Sequence, residues 1–165
     1  MFSLKEKTAI ISGGSKGIGK AIAFKYAEAG ANVVICSRKK DNLDSAIEEA
    51  QTAGFNIIGI ECNTGEIESI NNVVNKTIEQ FGRVDILVNN AAANPYYGPI
   101  LNSQDSHWEK IWDINVKGYF NFIKACSKSM EDNKYGKIIN VASIAAKTPL
   151  DGLGVYNISK AAVVM

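Results

Sequence analysis

Short, nearly unbroken runs of Val, Ile and Leu alternate along the chain with longer stretches whose apolar residues recur every three or four positions. The runs predict strands and the stretches predict amphipathic helices. A first strand falls at Thr8–Ser12, then a glycine-rich turn and a helix over 18–29 that Gly30 stops. A second strand follows at Asn32–Ser37. Leu43, Ala46, Ile47 and Ala50 then repeat at helical spacing up to Gly54. A third strand is expected at 55–61. Ile67, Ile70, Val74, Ile78 and Phe81 form one face of the next helix, which Gly82 ends. Strands four and five are expected at 84–88 and 137–141, joined by a long helical stretch over 104–130. Strands this uniformly apolar predict a sheet covered on both faces. Strand–helix alternation predicts βαβ units, hence an α/β fold with a doubly wound parallel sheet of the Rossmann type.

Composition narrows the possibilities. At 165 residues the length suits one domain, 1–165. Lys plus Arg is 18 against 17 for Asp plus Glu, a net charge of +1. That balance offers no excess to neutralise a nucleic-acid backbone or an anionic membrane, so neither partner is expected. The apolar runs fall far short of the roughly 20 residues a spanning helix needs. The N-terminal Met-Phe-Ser-Leu-Lys-Glu-Lys has no apolar signal core. Cys36, Cys62 and Cys126 are odd in number, widely spaced and free of a Cys-x-x-Cys pair. Reduced thiols in a cytoplasmic setting are therefore expected, with no disulfide framework and no metal site. His107, the single histidine, has no paired motif and is expected to be structural or exposed.

Candidate chemistry begins in the turn Ser12-Gly13-Gly14-Ser15-Lys16-Gly17-Ile18-Gly19, between the first strand and first helix. Gly13 and Gly17 let backbone approach a pyrophosphate, Gly19 allows close helix–sheet packing, and the helix N-terminus offers free N–H groups to phosphates. The spacing is Gly-x3-Gly-x-Gly. NAD binders usually carry Asp or Glu at the end of the second strand, for the ribose 2′-hydroxyl. Here stand Ser37, Arg38, Lys39 and Lys40, with no carboxylate before Asp41. Arg38 and Lys16 suit a 2′-phosphate, to which Ser37 could donate. NADP(H) is thus expected ahead of NAD(H), the alternative being a solvated basic loop. Further on, Tyr156 and Lys160 stand four residues apart, on one face if a helix begins near Tyr156. A free phenol, with a pKa of about 10, trades protons poorly near neutrality. A lysine ammonium about 4 Å away would favour the phenolate by about 4 kcal/mol at an effective dielectric of 20. Ser143, at the end of the fifth strand, could hydrogen-bond a substrate oxygen there.

These features together resemble the short-chain dehydrogenase/reductase family, in its single-domain branch. Ser12-Gly13 through Gly17-Ile18-Gly19 is similar to TGxxxGIG, with Ser for Thr; Asn89-Asn90-Ala91-Ala92 is similar to NNAG, with Ala for the last Gly. Asn115 matches the helical catalytic Asn, Ser143 the catalytic Ser thirteen residues before the Tyr, and Tyr156 to Lys160 the YxxxK motif. The resemblance implies that Tyr156 is the general acid in carbonyl reduction and the base in alcohol oxidation. It implies that Lys160 assists Tyr156 and holds the nicotinamide ribose, that Ser143 polarises the carbonyl, and that Asn115 holds a relay water. It further implies that Ser15, Lys16, Gly17, Ile18, Gly19, Asn90 and Ala91, together with Tyr156 and Lys160, fall among the cofactor contacts. Asn63 stands where the family has an adenine-contacting Asp, and its carbonyl could still accept from the adenine amine. Ala93 to Gly98 resembles a carbonyl and retinal reductase group. Its Tyr96–Tyr97 pair would either line the substrate mouth or pack beneath the loop.

The family's sheet continues past the YxxxK helix, whereas Met165 lies five residues after Lys160. The expectation is therefore the N-terminal two-thirds of such a domain, with the last strands missing and strand five an exposed apolar edge. Two functions stay open: an NADP(H)-dependent oxidoreductase on a small carbonyl or alcohol, or a cofactor-binding fragment without turnover. Family members commonly form dimers or tetramers through the long helix and the YxxxK helix. The second of these is cut short here, which sets oligomerisation of this chain in doubt.

Overall fold

The apolar runs become five parallel strands, β1 Thr8–Ser12, β2 Asn32–Ser37, β3 Ile57–Glu61, β4 Ile86–Asn89 and β5 Lys137–Asn140, ordered β3-β2-β1-β4-β5. This computed structural model describes residues 3–165, so the first two residues of the N-terminal segment lie outside the described residues. The strand order reverses between β1 and β4, which opens a crevice at their carboxyl ends. Helices α1 Gly17–Glu28, α2 Lys40–Thr52, α3 Ile67–Phe81, α4 Asp105–Trp112 and α5 Gly118–Asp132 make the connections, and α6 Gly154–Val164 follows β5.

Side chains alternate across the strands and feed two cores. Ala9, Ile11, Val33 and Ile35 pack on one face with Ala23 of α1 and Leu43 and Ala46 of α2. Ile10, Val34 and Cys36 pack on the other with Ile70 and Val73 of α3 and Phe122 and Cys126 of α5. The fold is thus the α/β, doubly wound parallel arrangement expected.

Several local expectations need correcting. The third strand begins at Ile57, because Gly54 sits at φ +80° and the Phe55 N–H donates to Ala50 O, closing α2 instead of opening β3. The fourth begins at Ile86, since the Val84 N–H donates to Ser129 Oγ at 3.0 Å. In α3 the buried residues are Ile70, Val73, Val74 and Thr77, while Ile67 is 42% exposed. The long helix is not continuous: a π-helical turn, Asp113–Lys117, separates α4 from α5. Coverage of both faces holds except at β5, which is exposed at every residue and has no strand on its outer side among the described residues.

Cys36, Cys62 and Cys126 are buried free thiols. His107 is half-buried, accepts the Gln104 N–H through Nδ1 at 3.1 Å, and stacks on Tyr96 at 4.9 Å. Tyr96 therefore packs beneath the loop, whereas Tyr97 is 75% exposed. No described helix is long and apolar enough to cross a membrane.

Candidate active site

The Ser12 hydroxyl organises the switch point. It accepts the N–H groups of Asn90 at 3.0 Å and Ala91 at 3.1 Å, while Asn90 Nδ2 donates to Ser12 O and Gly13 O at 3.0 and 3.2 Å. The loop after β4 is thereby sewn to the glycine turn. Gly13 takes φ +64°, and a Cβ there would lie 3.0 Å from Ala91 Cα. A Cβ on Gly19 would run into the Gly13 carbonyl. The first turn of α1 has no side-chain cap and no acidic residue, so its N–H groups remain available at the turn.

A cleft of about 290 Å³ opens there. The turn contributes Gly13, Ser15 and Lys16, the end of β2 contributes Ser37 and Arg38, and the post-β4 loop contributes Asn90 and Ala91. Of the other predicted contacts, Gly17 begins α1, Gly19 is buried and Ile18 is 65% exposed; none of the three lines the cleft. Asn63 borders an adjoining cavity of about 460 Å³ that shares Arg38 and Ile114 with the cleft. Its carbonyl already accepts the Gly65 N–H at 3.2 Å and its amide donates to Glu66 at 2.7 Å, which leaves one carbonyl lone pair for another donor. Sequence reasoning missed Cys62, Thr64 and Ile114 as cleft walls. They stand just after β3 and just before Asn115, positions that strand order alone brings to the crevice. A cavity of about 610 Å³ lies along β3 between α2 and α3, and none of the predicted site residues lines it. An uncapped helix start, a close-approach glycine turn and two basic side chains fit the phosphates of a nicotinamide dinucleotide.

Asn115 is fully buried in the π-helical turn. Its Oδ1 accepts the Ala93 N–H at 2.7 Å, and its amide donates to Ala93 O and to Ser159 Oγ, both at 3.0 Å. Both amide protons are spent, so the side chain clamps the post-β4 loop to α6. Ser143 opens the 3₁₀ turn Ile144–Ala146, where Oγ accepts the Ala145 N–H at 3.1 Å. Its own proton has no partner among the described residues. Tyr156 lies in the first turn of α6, half-buried, with its hydroxyl unpaired among the described residues. Lys160 follows one turn later and is 1% exposed. Its Nζ stands 5.9 Å from the Tyr156 ring centroid. The ammonium donates instead to Val141 O at 2.7 Å and Tyr119 Oη at 3.1 Å. Burial pulls this amine down from 10.5 to about 8 and pushes the Tyr119 phenol up. Tyr119 was not foreseen; its one sequence signal is the four-residue step from Asn115.

The family model for short chain dehydrogenases matches residues 7–165. "Dehydrogenase/reductase SDR family member 4" of Oryctolagus cuniculus is 43% identical over 98% of this chain, which spans 62% of that relative's length. A metagenomic short-chain oxidoreductase crystallised with NADP superposes with a TM-score of 0.92 at 30% identity, over 98% of this chain and 73% of that one. NAD+-bound xylitol dehydrogenase does so with a TM-score of 0.92 at 27% identity, over 97% of this chain and 62% of that one. With its parallel sheet, its glycine turn at the switch point and a family match across nearly its whole length, this chain belongs to the short chain dehydrogenase family.

Proposed function

We propose that this chain is the cofactor-holding and catalytic part of an NADP(H)-dependent oxidoreductase that interconverts a small carbonyl compound and its secondary alcohol. The observation that carries the reading is the unpaired Tyr156 hydroxyl on the same helix face as the buried Lys160 ammonium. Gly13, Ser15 and Gly17, with Ile18 and Gly19 seating α1, would hold the pyrophosphate. Lys16, Ser37 and Arg38 would take the 2′-phosphate, Asn63 would border the adenine, and Asn90 and Ala91 would flank the dinucleotide. The chemistry a bound nicotinamide supplies is hydride transfer to or from the substrate carbon. In reduction, Ser143 donates its free proton as a hydrogen bond to the substrate oxygen. Tyr156 then releases its phenolic proton to that oxygen as charge develops there. The Lys160 ammonium steadies the phenolate that remains. Oxidation runs the same proton backwards, onto Tyr156. Asn115 acts by keeping loop and helix in register. Free, buried thiols suit a reducing, cytoplasmic setting.

Arg38 supports the cofactor preference, because a guanidinium pairs with a phosphate and no carboxylate stands at the end of β2. The test is NADPH oxidation across a panel of carbonyl compounds. Tyr156→Phe is expected to lower turnover at least about 10²-fold, the usual worth of positioned acid–base catalysis; equal rates would remove its assigned role. Arg38→Ala should weaken NADPH binding about tenfold while sparing NADH, and equal weakening would end the NADP(H) preference. A second reading, dinucleotide binding without turnover, is favoured by the Lys160 ammonium, which spends its hydrogen bonds on Tyr119 and Val141 and not on the Tyr156 hydroxyl. NADPH titration with no turnover on any carbonyl would select it.

A further inference from the structure

Tyr119 closes a small buried network with Lys160. It sits on the first turn of α5 and is 4% exposed. Its hydroxyl accepts from Lys160 Nζ at 3.1 Å and donates its own proton to Val141 O at 3.2 Å. That same carbonyl accepts from Nζ at 2.7 Å, so ammonium, phenol and carbonyl each touch the other two. The Tyr119 ring centroid also lies 5.0 Å from Nζ. An ammonium has three protons to donate. Two are committed here, and the third has no partner among the described residues.

The titratable groups facing Lys160 are Tyr119 from α5 and Tyr156 on its own helix. None of the described ion pairs includes Lys160. A buried cation without a carboxylate depends on neutral acceptors to stay charged. A backbone carbonyl and one phenol are the acceptors present. We propose that Tyr119 is a positioning residue, whose hydroxyl pins the Lys160 ammonium at the end of β5 and helps keep it protonated. The catalytic consequence rests on the oxidoreductase reading above; the contact itself does not. An ammonium held charged beside the phenol of Tyr156 favours the phenolate that alcohol oxidation requires.

The test is an NMR titration of isotope-labelled Lys160 Cε in the full chain, its signal assigned by its loss in Lys160→Met. In the unaltered chain the amine should titrate near about 8. Tyr119→Phe keeps the ring and removes the acceptor, so the midpoint should fall by about one unit, the worth of a hydrogen bond to a charged group. Where the chain turns over, the pH of half-maximal alcohol oxidation should rise, because less ammonium remains beside the phenol. A tyrosine that only fills space would leave the Lys160 midpoint where it was, and that result overturns the proposal. Should Tyr119→Phe fail to fold, fluorotyrosine at position 119 keeps the shape and weakens the acceptor. A smaller fall is then expected, and no fall again overturns it. A chain that binds no NADPH and reduces no carbonyl, yet shows the Lys160 shift, refutes the oxidoreductase reading and leaves the Tyr119 assignment standing.

Discussion

One hydroxyl, that of Ser12, holds two loops of the cleft together. Its loss in Ser12→Ala leaves the Asn90 and Ala91 N–H groups without their acceptor, at a cost of about 1–3 kcal/mol. Urea unfolding should show that loss, and NADPH affinity should fall with it; an unchanged midpoint would mean water replaces the hydroxyl. Lys160 works in the opposite sense. Folding lowers its pKa from 10.5 to about 8, so between those values the unfolded chain binds more protons and this group makes stability rise with pH. Below about 8 the penalty is present in full. Lys160→Met should therefore be more stable than the unaltered chain at pH 7, by about 1–3 kcal/mol, and should lose that part of the pH slope. Urea unfolding at a series of pH values checks both, and a less stable variant would show that the ammonium's hydrogen bonds outweigh its desolvation. Residue identity alone pointed to Tyr156, Lys160 and Ser143, because phenol, amine and hydroxyl carry recognisable proton chemistry. It did not reveal that Lys160 bonds to Tyr119 and Val141, since no spacing rule links positions on α6, α5 and β5.

Elements place these residues where one-dimensional patterns do not reach. The π-helical turn Asp113–Lys117 widens the helix by one residue per turn and sends Asn115 inward to the post-β4 loop. Periodicity read the stretch as one helix because it holds no proline and its apolar spacing barely changes. Asn115→Ala removes three hydrogen bonds and should cost about 2–4 kcal/mol. Hydrogen exchange should then rise both at Ala93 and in the first turns of α6; protection lost at one end alone would mean the clamp does not couple them. At the start of α1, Gly19→Ala drives a methyl against the Gly13 carbonyl. Loss of NADPH binding by calorimetry is expected, with the fold retained by circular dichroism. Retained affinity would show that the turn can shift without leaving the phosphates. That Gly19 sits at a close approach was readable from its spacing after Gly17, although its neighbours are the Gly13 carbonyl and the Asn90 side chain and not the sheet; the clamp made by Asn115 was not readable.

At the scale of the whole molecule, the sheet has two unlike edges. On one side β3 packs against α2 and α3, while β5 presents Ile138 and Ile139 at 43% and 38% exposure with no strand beyond it among the described residues. Such an edge is a template for pairing with another chain. The chain should therefore self-associate as its concentration rises, and Ile139→Lys should suppress this in sedimentation velocity without lowering the thermal midpoint. Association unaffected by the lysine would place the sticky surface elsewhere. The order of strands and helices along the chain, the glycine turn, the basic end of β2 and the Tyr156–Lys160 spacing were readable in the sequence, because each depends on neighbours a few residues away. The cleft walls at Cys62, Thr64 and Ile114, the Asn115 clamp and the Tyr119–Lys160–Val141 network came only with three-dimensional packing. Each joins residues tens of positions apart, and their contact is decided by which strand lies beside which and by how the interior fills once the sheet has formed.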